Sequence, residues 1–473
     1  MINVEKGAEG VLEQFRQSLY ASFAIRRDVL QDTVDALSGN QGASSVAELS
    51  LNPLFGREYS SLYDGIDTYT QALTEKEATQ QRPSLSLPEL MAPYLEKPRE
   101  RPFWLLGADG TPLPRPYGQT VAERTFVYAP NPTPGVKPVT VGHAASSIVL
   151  FPEKAAGAPA WVVPLGMERI GPASDEIAVA LEQLQGLLAN PTLPFAQELT
   201  VTVADSKYGQ VPFLHPLLNY KNHVVVVRVR NNRVFYRSVP TPAEGERPPG
   251  RPKLYGARFA LNDAESWGAA DHQVEMEMTT HRGQTYQVSI QQWNDLLMRG
   301  KRTMPMGDHA FHLLRIQLRR PDGTPLFRRP MWLAICGQRR AEIDPTAGWQ
   351  AYRQRFDQEH FFRFGKQRLL LDQFQTPEPS RTDTWLLLVQ LAYLQLWLAR
   401  SLADALPLPW QRYMPQPAPG QQNTPAHTQR AFPRIIRQIG SPAKEAKPRG
   451  KSPGRPLGTR FTPRPRQPIV RKT

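Results

Sequence analysis

Cysteine is almost missing: Cys336 stands alone among 473 residues. A single thiol excludes both a disulfide framework and a thiolate-held zinc site within one chain, and it suits a reducing compartment. The opening residues MINVEKGAEGVLEQFRQSLY carry charges throughout and lack the apolar stretch of a secretory signal, so a cytoplasmic location is expected. Long hydrophobic runs are missing too. The most apolar stretch, Trp385 to Ala399, is too short to cross a bilayer and is interrupted by Gln390 and Gln395. It reads as a buried helix, and no membrane partner is expected. No nucleotide cofactor is expected either.

Residues 1–414 have little net charge, with 44 basic and 42 acidic side chains, whereas acid is scarce beyond them: from Pro415 onward thirteen Lys or Arg face Glu445 alone. A nearly neutral body with a basic, Pro-rich tail points to a polyanion, nucleic acid first. A disordered solubilising tail is the alternative. The 47 prolines are about twice the usual share, as extended connectors and such a tail would require.

The chain divides into five segments. Residues 1–98 read as a helical unit, with Phe15, Leu19, Phe23, Val29, Val34 and Leu37 near helical spacing. Pro83, Pro88, Pro93, Pro98 and Pro102 then mark a connector. Within 99–209 the apolar run Phe103 to Ala108 reads as a strand ending at Asp109. Strand candidates Ser146 to Phe151 and Ala160 to Leu165 follow, then a helix from Asp175 to Leu188, then a strand from Leu199 that ends at Asp205. That order is the first half of a ribonuclease H-like sheet. Residues 210–345 are β-rich and read as an insertion; 346–414 return to helix, one from about Trp349 toward Leu371 and another from Thr384 to Leu402. Residues 415–473 have no period and read as a disordered basic tail, although Ala431 to Gly440 is a candidate for becoming helical on DNA. The expected fold class is therefore α/β: a ribonuclease H-like mixed sheet interrupted by a β-rich insertion, with a helical N-terminal unit.

Asp109 and Asp205 each follow an apolar strand, which would set both carboxylates at one sheet edge. Either aspartate alone reads equally as a turn residue or helix cap. A third element narrows the choice. Tyr352, Arg355, Glu359 and Lys366 lie at offsets 0, 3, 7 and 14, within a stripe of roughly 60° on a helix. A solvated charged face is the alternative reading of that stripe.

The spacing Tyr-(2)-Arg-(3)-Glu-(6)-Lys resembles the signature of a large group of bacterial insertion-sequence DDE transposases. Ala204-Asp205-Ser206-Lys207-Tyr208-Gly209 is similar to that family's second-aspartate motif, and Asp109-Gly110-Thr111-Pro112 to its first, although Gly110 stands where a polar or acidic residue is common. Glu123 is a competitor for the first carboxylate, but it does not end an apolar strand. The resemblance covers about residues 100–412. It implies a DNA-binding N-terminal unit and metal-dependent cleavage and strand transfer in cut-and-paste transposition. Asp109, Asp205 and Glu359 would hold two Mg²⁺ ions, with Mn²⁺ as a substitute. Tyr352, Arg355 and Lys366 would contact DNA phosphates. The implied partners are double-stranded DNA, as element ends and target, and a second copy of the chain in a synaptic dimer, in a nucleoid-associated setting. The competing reading is a catalytically silent, transposase-derived DNA-binding protein; a nuclease without joining activity is another. Gly250-Arg251-Pro252 and Gly454-Arg455-Pro456 resemble cores that enter AT-rich minor grooves, and such short matches also arise by chance. His143, His309 and His360 lack metal-ligand spacing and read as structural.

Overall fold

The computed structural model describes residues 7–78, 86–129, 138–155, 157–239, 253–280, 283–405, 413, 423–448, 454, 456–460 and 462–471. Among the described residues five helices come first: α1 (Ala8–Ser22), α2 (Arg27–Ser38), α3 (Val46–Leu49), α4 (Tyr59–Ala78) and α5 (Leu87–Met91). The next elements are β1 (Trp104–Pro114), β2 (Thr125–Tyr128), β3 (Val139–Leu150), β4 (Val163–Arg169), α6 (Glu176–Ala189), β5 (Thr200–Ala204), α7 (Val211–Leu217) and β6 (His223–Val229). Strands β4, β3, β1, β5 and β6 lie side by side in that order. The β4–β3 and β3–β1 pairs are antiparallel, and the β1–β5 and β5–β6 pairs are parallel. This is the ribonuclease H-like arrangement, and the mixed α/β class is as the sequence suggested. Strand β2 joins the far half of β3.

The β-rich segment does not stand apart from this sheet. Strand β6, which falls within 210–345, completes the parallel core, because five consecutive buried residues, His223 to Val227, suit a strand covered on both faces. Beyond it come β7 (Val234–Tyr236), β8 (Arg258–Ala260), β9 (His272–Thr279), β10 (Thr285–Leu296), β11 (Phe311–Arg319) and β12 (Met331–Cys336). Strands β12, β11, β10 and β9 extend the sheet from β6, giving ten strands among the described residues, while β7 and β8 form a separate pair. Trp267, Trp293 and Trp332 pack together over this extension.

The chain returns to helix in α8 (Pro345–Gln354), α9 (Phe356–Arg368), α10 (Pro379–Ala399) and α11 (Leu402–Ala405). The helix expected from Trp349 to Leu371 is thus two helices. Asp344 caps the first by accepting from Thr346 N and Ala347 N. They part at Arg355, whose N–H donates to Tyr352 O, a tighter i→i−3 bond. Helix α10 is buried along nearly its whole length. It packs on β4 and is surrounded by α1, α2 and α4, so the N-terminal helices are wrapped around the last part of the α/β body and are not a detached unit. Among the described residues no helix is long and apolar enough to cross a membrane.

The basic tail departs from the expectation of disorder. Residues Pro425–Ile439 form α12, capped by Thr424, with Phe432, Ile435 and Ile436 buried against the helical bundle. Apolar spacing at i, i+3 and i+4 explains the helix; averaging that segment with its Pro- and Arg-rich flanks conceals it. Farther on, Gln467 N and Val470 N donate to Gln119 O and Arg124 O, each at 2.8 Å. Gly250-Arg251-Pro252 and Arg455 lie outside the described residues.

Candidate active site

Parallel strands β1 and β5 are in register from Trp104↔Thr200 to Ala108↔Ala204. Asp109 and Asp205 are therefore the next residue on each strand, side by side where β5 ends. Asp109 does not end its own strand: β1 runs on to Pro114, paired with β3 through Asp109↔Ser147 and beyond. The Gly-Thr-Pro that suggested a turn is extended chain, since an antiparallel neighbour accepts it where the parallel one stops. Asp205 opens a tight turn and accepts from Lys207 N at 2.7 Å.

Helix α9 crosses β1 closely. A Cβ on Gly107 would strike the Phe151 ring at 2.5 Å and Gln358 Oε1 at 2.8 Å, so this glycine admits the helix. Gln358 Nε2 donates to Ser147 O at 3.0 Å, and Lys366 Nζ donates to Pro112 O at 2.8 Å, fastening the helix to β3 and β1. Lys154 and Asp357 add a salt bridge at 2.5 Å. Glu359 thereby faces Asp109, with Arg355 between them: Nη1 lies 2.8 Å from Asp109 Oδ2 and Nη2 lies 2.9 Å from Glu359 Oε1. The guanidinium is also 5.8 Å from the centroid of the buried Tyr352 ring and 5.1 Å from that of the exposed Phe356. Tyr352, Arg355 and Glu359 thus meet Asp109 directly or through Arg355. Lys366 lies farther along β1, at Pro112.

Burial pushes Asp109 up to about 7; Arg355 opposes this, and the nearby Asp205 and Glu176 reinforce it. Burial favours loss of the Arg355 proton, yet Asp109, Tyr352 and Glu359 outweigh it and its pKa is raised. Burial lowers Lys366, offset in part by Asp372, and burial raises the Tyr352 phenol. Among the described residues no three His, Cys, Asp or Glu side chains converge closely enough to hold an ion as they stand. The donor set nevertheless suits a hard divalent cation. Asp109, Asp205 and Glu359 offer oxygen only, and a cationic group already lies between two of them at hydrogen-bond distance.

Two residues escaped the sequence reading. Glu176, first in α6 after its cap Asp175, accepts from Lys207 Nζ at 2.7 Å and from Tyr208 OH at 2.8 Å. Its signal was a carboxylate at a helix start following β4. Arg228 is the exposed residue within the otherwise buried β6, and it acts electrostatically on Tyr352. With Ser206, Arg230, Asn231, Asn232 and Arg329 it lines a cleft of about 480 Å³ beside Asp205. A lone arginine in a run of valines was its signal. Glu123 pairs with Arg169 at 2.6 Å and gains no support as the first carboxylate. His143 is buried on Ala122 O, and His309 packs on His215.

Carboxylates gathered at the carboxyl end of a parallel strand pair, on a ribonuclease H-like sheet, are a setting for phosphodiester chemistry. The chain belongs to the DDE superfamily endonucleases, whose family model matches residues 18–296, more than half of it. Asp109 and Asp205 fall inside that match and Glu359 beyond it. No curated protein matches the chain. It is thus an enzyme of a family that acts on DNA phosphodiester bonds, and members generally use divalent metal ions.

Proposed function

We propose that the chain is a cut-and-paste transposase of an insertion sequence, cleaving DNA strands and joining them to a target. The observation that carries this reading is the meeting of Asp109 and Glu359, from β1 and α9, on either side of one guanidinium beside Asp205. In it Asp109 and Asp205 hold two Mg²⁺ ions, or Mn²⁺ in their place, and Glu359 completes the second site. Bound there, the ions would activate the attacking oxygen and neutralise the leaving oxygen of an in-line phosphoryl displacement. Arg355 contributes a bidentate cation at the scissile phosphate once it leaves the carboxylates, and Lys366 a point charge along the same helix face. Tyr352 and Arg228 flank that phosphate. Two copies of the chain bring two element ends together, in a nucleoid-associated complex. The N-terminal helices and the basic C-terminal residues add contacts to DNA.

The test is cleavage of DNA carrying the flanking element ends by the intact chain and by Glu359→Gln, with Mg²⁺, Mn²⁺ or chelator, and with a target plasmid. Metal-dependent cuts at the ends and plasmid insertions, both lost in the variant, are expected. Cuts without insertions would indicate a nuclease, and binding without cuts in both proteins a silent DNA-binding relative.

A further inference from the structure

Glu176 lies against the two aspartate-bearing segments. A Cβ added to Gly110 would meet its carboxylate, 2.5 Å from Oε2 and 2.7 Å from Oε1, so the backbone beside Asp109 is in contact with this acid. The same carboxylate takes the side chains two and three residues after Asp205 in the turn. Lys207 Nζ is 2.7 Å from Oε2, and the fully buried Tyr208 donates its hydroxyl to Oε1 at 2.8 Å. Lys207 N in turn donates to Asp205 Oδ1 at 2.7 Å. Glu176 therefore packs against the β1 backbone at Gly110 and is linked by hydrogen bonds, through the Lys207-Tyr208 pair, to Asp205. Helix α6 supplies its fixed end: Asp175 caps it on Ala178 N at 2.8 Å, and the helix packs on β3 and β1. The buried Tyr208 hydroxyl loses this partner if Glu176 is truncated, and leaving a buried polar group unpaired is costly enough to loosen the turn.

We propose that Glu176 is a positioning residue of the carboxylate site, setting the place of Asp205 relative to Asp109 through Lys207 and Tyr208. The inference rests on the reading of Asp109 and Asp205 as ligands of a divalent cation. Glu176 acts by accepting two hydrogen bonds, and it is not itself a ligand. Groups that orient metal ligands typically govern affinity by about 10–100-fold.

The experiment is Mn²⁺ binding to the full chain, followed by calorimetry and by the Mn²⁺ electron paramagnetic resonance signal, in the wild type and in Glu176→Ala, Glu176→Gln, Tyr208→Phe and Asp205→Ala. Glu176→Ala is expected to weaken binding about tenfold. Glu176→Gln keeps an acceptor for the tyrosine but sets its amide NH2 against the Lys207 ammonium, so it and Tyr208→Phe should both fall between the wild type and Glu176→Ala. Wild-type affinity in Glu176→Ala would overturn the proposal. So would a Glu176→Gln as weak as Glu176→Ala while Tyr208→Phe binds like the wild type, which would assign the effect to charge or direct ligation. Should Glu176→Ala fail to fold, unchanged binding in Tyr208→Phe overturns it equally. Wild-type Mn²⁺ binding that does not depend on Asp205 would instead sink the cation-site reading itself.

Discussion

Asp109 and Glu359 are joined by one side chain, with the guanidinium of Arg355 within 2.9 Å of both. A divalent ion shared by these carboxylates needs the same oxygens, so Arg355 and the ion compete. Arg355→Ala should bind Mn²⁺ about tenfold more tightly without DNA, since a hydrogen bond to a charged group contributes about 1.5–3 kcal/mol. Titration calorimetry measures this. Unchanged or weaker binding would mean that the two cations do not share a site.

Asp109 carries a proton to unusually high pH, its pKa lying near 7 in the fold against 3.8 ordinarily. Its contribution to stability is therefore fullest in acid and is lost as pH rises through about 7. In chelator, Asp109→Asn should melt a few degrees above the wild type at pH 8, and the gap should close toward pH 4. Mg²⁺ should raise the wild-type melting temperature and leave the variant unmoved. An offset independent of pH would contradict the shift.

Arg16 and Asp35 form a buried ion pair between α1 and α2, with Nη2 2.9 Å from Oδ2 and Gln395 Nε2 donating to the same aspartate at 3.1 Å. Arg16→Ala leaves that carboxylate buried and uncompensated. The expected loss is about 3–5 kcal/mol in urea unfolding, largely regained in Arg16→Met with Asp35→Leu. A single variant within about 1 kcal/mol of the wild type would show that water replaces the arginine.

Helix α12 covers apolar surface of α10 and is tied to α2 by Gln429 Nε2 on Leu37 O at 3.1 Å. A chain ending at residue 422 should melt lower and bind a hydrophobic dye, whereas one ending at 448 should keep the bundle closed. Equal melting of both would make α12 a passenger.

Much of the body was legible because its signals are local. The apolar runs around Leu105 and Val201 read as strands, and the helix capped by Asp175 falls within a residue of its expected start. The residues from Tyr352 to Lys366 were legible as helical, but their single stripe was not: Tyr352 lies on α8, and Glu359 and Lys366 lie on α9. Less visible was whatever depends on a neighbour. Asp109 looked terminal because Gly110 and Pro112 read as a turn, and β3 is what keeps them extended. The break at Arg355 leaves no mark in residue type. Glu176 was silent because its partners, Gly110, Lys207 and Tyr208, are 31 to 66 residues away along the chain. Helix α12 was masked by flanks of opposite character.

Gly110 and Glu176 cannot both be large, because one volume serves the glycine's absent side chain and the glutamate's carboxylate. In relatives with this backbone, a side chain at the position after the first aspartate should be accompanied by a shorter residue at the start of α6. The two positions, distant in sequence, would then change together: a pairwise rule of substitution in which a negative charge beside the first aspartate comes from the strand or from the helix, and not from both.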